Sequence, residues 1–156
     1  MVYLKKEVKP LKFRRKTNRI KDYDYSQNGV YLITICTKNK EKIFGDIDFS
    51  QHAKINLNET GKILENYIDQ VEEVDNYIIM PNHIHLILNL FNDDINRSIQ
   101  SIVSSIKRNL TREIGYSAFQ KSFHDHVIKN EKEYENIWNY VENNAERWRE
   151  DCFYRE

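Results

Sequence analysis

The sequence predicts an α+β fold with a mostly antiparallel sheet and with helices packed on one face of that sheet. Segments rich in β-branched and aromatic residues alternate with segments whose apolar residues recur at helical spacing. Their order along the chain is strand, helix, strand, strand, helix, short strand, helix. The length of 156 residues suits one compact domain, and 40% hydrophobic with 31% charged residues is typical of a globular protein.

The first half of the chain is predicted to contain a strand and an amphipathic helix. The strand is predicted over residues 30–37, which are mostly β-branched and aromatic. Residues 43–47 form a weaker candidate for a short second strand. A helix is predicted over residues 58–71, because Leu64, Ile68 and Val71 recur at the spacing of one helical face.

The second half contains two further strands, a helix, an edge strand and a last helix. Strands are predicted over residues 74–80 and 83–90, separated by a break at Pro81 and Asn82. A short edge strand is predicted over residues 123–128. The last helix is expected to begin after Asn130, an N-cap with Glu133 three residues later. Another helix is predicted between the strand over residues 83–90 and the edge strand. Its one apolar face is formed by Ile99, Ile102, Val103, Ile106 and Leu110. This order favours a ferredoxin-like arrangement.

Charge divides the chain into a basic arm, residues 1–22, and a domain, residues 23–156. The arm holds nine basic and two acidic residues, a net charge of +7, so the remainder carries −7 in a chain of zero net charge. Such an arm is suited to binding phosphates, although a solvated tail explains the charge equally well.

The composition also bears on where the protein works. No apolar run reaches the roughly 20 residues that span a bilayer, and the N-terminus lacks the apolar segment of a signal peptide. The two cysteines, Cys36 and Cys152, have no metal-binding spacing. We therefore expect a cytoplasmic protein with reduced thiols and no membrane partner.

The strand over residues 83–90 carries a pair of histidines on one face. Residues two apart in a strand project to the same side, so His83 and His85 point together, while Ile84, Leu86 and Leu88 form the apolar side. Two adjacent imidazoles can chelate a divalent cation. Two histidines on a half-exposed strand can also form local hydrogen bonds without a metal. The pair alone does not decide between these two interpretations.

The last helix carries Tyr140 and Asn144, four residues apart and therefore on one surface of a helix. Near a metal-polarised phosphate, a tyrosine hydroxyl can attack phosphorus. The asparagine oxygen is a suitable ligand for Mg or Mn beside two imidazoles. Ordinary packing at a helix edge explains either residue by itself.

Several stretches together resemble the REP-associated tyrosine transposases, a family within the single-tyrosine HUH (His-hydrophobic-His) transposases. The histidine stretch is Met80-Pro81-Asn82-His83-Ile84-His85, and the tyrosine stretch covers residues 138–144. The other matching stretches are residues 19–29, 31–37, 44–47, 105–107 and 119–128.

The resemblance implies a DNA transposase with a ferredoxin-like HUH domain that binds folded single-stranded DNA hairpins of palindromic repeats. It implies that His83, His85 and Asn144 hold Mg or Mn and that Tyr140 is the nucleophile. Attack on a phosphodiester then gives a 5′-phosphotyrosine and a free 3′-hydroxyl, so strands can be cleaved and rejoined. The implied location is the bacterial cytoplasm, associated with the nucleoid through DNA.

Basic and aromatic residues are the candidate DNA contacts. Phosphate contacts suit the basic side chains, and unpaired bases can stack on the tyrosines. Lys107, on the helix over residues 99–110, falls in a stretch that matches the family. The full set is Arg14, Arg15, Lys16, Arg19, Lys21, Tyr23, Tyr25 and Lys107.

Other functions stay open at this point. The domain could be a catalytically silent protein that binds structured DNA, although such a protein does not need the histidine pair and the tyrosine. It could be a hydrolase in which water attacks. The sequence also leaves open the hairpin recognised, the metal, and whether the protein is a monomer or a homodimer that shares Tyr140 between chains.

Overall fold

The computed structural model describes residues 29–91 and 97–154 of the chain. The basic arm over residues 1–22 lies outside the described residues. Within the described part, no helix is long and apolar enough to cross a membrane. The elements in chain order are β1 (Val30–Cys36), β2 (Gly45–Asp48), β3 (Lys54–Leu57), α1 (Glu59–Asp69), β4 (Val74–Ile79), β5 (His83–Asn89), α2 (Ile99–Ile114), β6 (His124–Ile128) and α3 (Glu131–Glu142).

The central sheet has the order β4-β5-β1-β6, and every neighbouring pair is antiparallel. Helix α1 connects β1 to β4 and helix α2 connects β5 to β6, so two strand-helix-strand units interleave. This is the ferredoxin-like arrangement, and the predicted α+β fold class is confirmed.

A small hairpin of β2 and β3 stands apart from the central sheet. The sequence predicted a strand at residues 43–47, and the observed β2 begins two residues later, at Gly45. The sequence did not predict β3. Its residues alternate between exposed and half-buried positions and include Lys54 and Asn56, so the apolar signal is weak.

The main core lies between one face of the sheet and the helices α1 and α2. Alternation in β1 and β5 sends every second side chain into this layer, where the helices present their apolar faces. The residues from the strands are Tyr31, Ile33, Ile35, Ile84, Leu86 and Leu88, and the helical ones include Leu64, Ile68, Ile102, Val103, Ile106 and Leu110.

Helix α3 covers the opposite face of the sheet, which corrects the expectation that all helices pack on one face. That face is also apolar at one end, where Val30, Ile87 and Ile128 form a second core with Tyr134 and Val141 of α3. Because strand alternation directs these sheet residues away from the main core, they need a separate cover. The same face carries the two histidines, so α3 lies against the candidate site.

The N-terminal end of α3 is fixed by polar groups. The Asn130 side chain accepts the Glu133 N–H at 2.8 Å, as the N-cap prediction required. The Glu133 carboxylate accepts the Lys129 N–H at 2.8 Å, one residue before the N-cap. The helix ends at Glu142, and Asn144 follows in the turn beyond it.

Tyr134 anchors α3 to the sheet and provides a test of the second core. Its ring is 3% exposed, and its hydroxyl donates to Asp75 at 3.0 Å. We expect Tyr134→Ala to lower the free energy of unfolding by about 3 kcal/mol or more. Tyr134→Phe, which loses only the hydrogen bond, should cost about 1 kcal/mol. Urea unfolding measures both values.

Tyr116 supplies the matched control, because its side chain is 53% exposed. Tyr116→Ala should change the free energy of unfolding by less than about 0.5 kcal/mol. Equal losses for Tyr134→Ala and Tyr116→Ala would mean that α3 is not held by this core.

Candidate active site

Strand β5 places His83 and His85 side by side on the face covered by α3. Their ring centroids lie 4.9 Å apart, and the residues are 0% and 3% exposed. The segment that follows α3 closes over His83, because the Phe153 ring lies 4.6 Å and the Trp148 ring 6.0 Å from it. The two histidines are therefore buried, and they share one face as predicted.

Asn82, in the three-residue loop between β4 and β5, sets the tautomer of His83. Its Nδ2 group donates to the carbonyls of Lys40 at 3.1 Å and Phe153 at 2.6 Å, which leaves Oδ1 as an acceptor. That oxygen lies 2.8 Å from His83 Nδ1, so Nδ1 carries the proton. The Nε2 atom of His83 then presents a lone pair.

Thr34, on the neighbouring strand β1, orients the ring of His85. The two residues are directly paired in the sheet, and Thr34 Oγ1 lies 2.8 Å from His85 Nδ1. The hydroxyl can accept the Nδ1 proton, which leaves His85 Nε2 as a lone-pair donor. Partners of this kind orient the histidine ligands of metal sites.

Burial keeps both imidazoles neutral at physiological pH. Desolvation lowers the pKa of His83 to about 3, with a smaller contribution from His85 in the same direction, and the Asn144 side chain partly offsets the shift. Desolvation lowers the pKa of His85 to about 4. A neutral imidazole is the form that binds a metal ion.

Asn144 joins the histidines from the turn after α3. The residue is 2% exposed. Its Oδ1 atom, His83 Nε2 and His85 Nε2 are all buried without a hydrogen-bond partner. Buried polar atoms are rarely left unpaired, and these three share the chemistry of ligands for a divalent cation. In the described part of the chain, no three His, Cys, Asp or Glu side chains form a metal-binding group by themselves.

Tyr140 lies next to this group within the same chain. Its ring centroid is 5.4 Å from that of His85, and the residue is 40% exposed. Partial burial raises the pKa of the hydroxyl, Asn144 opposes the shift, and the charge of Asp151 adds to it. One chain therefore brings the tyrosine and the histidines together while leaving the tyrosine accessible from solvent.

A polar groove runs along the outer side of α3 beside Tyr140. It is lined by Asn136, Asn139, Asn143 and Arg147 in addition to the tyrosine. Amide groups can bond to base edges or to phosphates, and a guanidinium is suited to phosphate. The groove therefore places three amide groups and one guanidinium beside the tyrosine.

The remaining predicted site residues lie elsewhere. Lys107 donates to the carbonyls of Gln120 at 2.7 Å and Lys121 at 3.2 Å, so it ties α2 to the segment before β6. These two bonds use most of the N–H groups of the Lys107 ammonium. The other predicted DNA contacts, Arg14, Arg15, Lys16, Arg19, Lys21, Tyr23 and Tyr25, lie outside the described residues.

Sequence reasoning missed three residues that contact the histidines. Thr34 and Asn82 act through the Nδ1 atoms, and Asp151 Oδ2 lies 3.6 Å from His83 Nε2. The strand register could have revealed Thr34, because it pairs with His85. No sequence signal placed Asp151, which depends on how the segment after α3 turns back.

Protonation of the two imidazoles is expected to make the metal-free protein unstable at low pH. The unfolded chain binds these protons near pH 6.5, whereas the folded chain binds them near pH 3 and 4. Their contribution to stability is therefore complete above about pH 6.5 and is lost as the pH falls toward those values. Between pH 7 and pH 5 we expect a loss of about 2–4 kcal/mol, measured by urea unfolding.

Two variants test the origin of this loss. His83→Gln removes one of the two groups and should show about half of the pH dependence. His52→Gln changes an exposed histidine and should behave like the wild type. An undiminished pH dependence in His83→Gln would contradict the assignment.

Comparisons with known proteins give the family and the fold. No protein-family model matches the chain. An uncharacterized protein of Haemophilus influenzae is 31% identical, over 90% of this chain and 93% of that protein. A solved REP-associated tyrosine transposase bound to a REP hairpin superposes with a TM-score of 0.59 at 19% identity, over 81% of this chain and 72% of that one. The chain therefore belongs to one protein family with this Haemophilus influenzae protein and has the fold of the REP-associated tyrosine transposase.

Proposed function

We propose that this protein is a DNA transposase that cleaves and rejoins single-stranded hairpin DNA, with Tyr140 as nucleophile. One observation carries the proposal. Three buried, unpartnered ligand atoms, from His83, His85 and Asn144, lie beside a partly exposed tyrosine ring within one chain. Neither packing nor DNA binding alone requires this combination.

The chemistry of the three atoms fits a divalent cation such as Mg or Mn. Two imidazole nitrogens and one amide oxygen would hold it. Asn82 keeps His83 Nε2 free of a proton, and Thr34 can accept the Nδ1 proton of His85, which leaves the Nε2 atom of His85 free as well. When bound, such an ion supplies Lewis-acid polarisation of a phosphate and neutralises charge that develops there.

Tyr140 performs the covalent step. Its hydroxyl oxygen forms a bond to phosphorus while the bond from phosphorus to the 3′ oxygen breaks, which leaves a 5′-phosphotyrosine. The proton lost by the tyrosine is balanced by the proton gained by the 3′-hydroxyl. Because burial raises the pKa of Tyr140, the hydroxyl keeps its proton until attack, and the nearby Asn144 favours its loss. Reversal of the step rejoins a strand.

Three features support single-stranded hairpin DNA as the substrate. The structurally similar transposase is one bound to a REP hairpin. The groove beside Tyr140 offers amide groups and Arg147 to a strand that enters it. The basic arm over residues 1–22 adds a net charge of +7 for phosphate contacts. We therefore propose the palindromic repeat of a bacterial chromosome as the substrate and the nucleoid as the place of action.

A monomer suffices for this chemistry. The Tyr140 and His85 rings lie 5.4 Å apart within one chain, so the site needs no tyrosine from a partner. A homodimer remains compatible with the proposal, provided that each chain uses its own tyrosine.

Trapping the covalent intermediate tests the proposal. We expect wild-type protein with Mn and a labelled single-stranded hairpin to give a protein–DNA adduct that survives denaturing gel electrophoresis. Tyr140→Phe should give none, because it lacks the attacking oxygen. Tyr116→Phe removes an exposed hydroxyl away from the site and should react like the wild type.

Two other outcomes have defined meanings. Metal-independent hairpin binding with no cleavage of any hairpin would indicate a catalytically silent DNA-binding protein. Steady cleavage without an adduct, retained in Tyr140→Phe, would indicate a hydrolase that uses water. Either result would overturn the assignment of Tyr140 as nucleophile.

A further inference from the structure

Asp151, in the segment after α3, directs a carboxylate at the metal-facing edge of His83. Its Oδ2 atom lies 3.6 Å from His83 Nε2, and its side chain is 8% exposed. The Oδ1 atom accepts the Phe153 N–H at 2.9 Å, which fixes the orientation of the carboxylate. The Oδ2 atom therefore faces His83.

The two facing atoms are both acceptors. Asn82 Oδ1 takes the proton of His83 at Nδ1, so Nε2 has a lone pair and no proton to share with Asp151. A carboxylate oxygen and an imidazole lone pair repel each other unless a cation lies between them. With ligand bonds of about 2.1 Å, two ligands of one ion lie about 3.0–3.6 Å apart at angles of about 90–120°. The observed separation falls at the upper end of this range.

No side chain in the described residues supplies the cation. His83 is the only basic group there within 4.0 Å of the Asp151 carboxylate, and its Nδ1 proton bonds to Asn82 Oδ1, so the Nε2 atom that faces Asp151 carries no proton. A largely buried carboxylate without a cationic partner is costly, which makes it a natural partner for an added ion.

We propose that Asp151 is a further ligand of the divalent cation, joining His83, His85 and Asn144. This inference rests on the proposed function, because it concerns the same metal site. Asp151 contributes the negative charge that the other three ligands lack, and hard cations such as Mg and Mn bind oxygen ligands of this kind. The affinity of the site for such ions therefore depends on Asp151.

Asn82 couples this ligand to the others. One side of its amide bonds to His83 Nδ1, and the other side donates to the carbonyl of Phe153, two residues after Asp151. The loop between β4 and β5 thus positions both a histidine ligand and the segment that carries the carboxylate.

The test compares Mn binding by the wild-type chain and by two variants, all without DNA. Binding is measured by electron paramagnetic resonance of free Mn and by calorimetry. We expect Asp151→Asn to weaken Mn binding by about tenfold or more. This variant keeps an oxygen that can accept the Phe153 N–H, so its melting temperature without metal should match the wild type. Glu150→Gln, an exposed neighbour with the same change in charge, should bind Mn like the wild type.

Each other result has a separate meaning. If the wild type binds Mn and Asp151→Asn binds it within twofold, the inference is overturned and the proposed function stands. Equal losses in Asp151→Asn and Glu150→Gln would also overturn it, because the effect would then be one of general charge. If the wild type binds no Mn, the metal site itself fails, and with it both proposals.

Discussion

The hydrogen bonds of the Asn82 amide are the interaction on which the site depends. Both Nδ2 protons bond to carbonyls, and Oδ1 accepts from His83 Nδ1, so every group of the amide is used. This fixes the ring of His83 and exposes its Nε2 lone pair. It also holds the segment after α3 against the histidine. A substitution of Asn82 would therefore loosen both the His83 ring and the segment after α3.

The site imposes a cost that the rest of the fold offsets. Three buried acceptor atoms, on His83, His85 and Asn144, have no hydrogen-bond partner, and each such atom costs about 1–3 kcal/mol. The sheet compensates by packing apolar residues on both faces, against α1 and α2 on one side and α3 on the other. Helix α3 packs on the second core and contains Tyr140, so the packing that stabilises the sheet also brings Tyr140 to His85.

Local patterns in the sequence predicted much of the fold and part of the site. Strand alternation placed His83 and His85 on one face, and helical spacing placed Asn144 near Tyr140, although Asn144 lies in a turn beyond the helix. The nucleophilic role proposed for Tyr140 rests on the family resemblance rather than on spacing. Thr34 could have been found only through the strand register, which local spacing does not supply, and Asp151 had no sequence signal because it reaches His83 through a returning segment.

We propose that the three unpartnered atoms hold a divalent cation beside Tyr140. Anomalous diffraction from a crystal of the full-length protein soaked in Mn tests it most directly, because the signal locates the ion independently of activity. We expect a peak within about 2.5 Å of His83 Nε2, His85 Nε2 and Asn144 Oδ1. A crystal with Mn bound elsewhere, and no peak between these atoms at saturating concentration, would contradict the account.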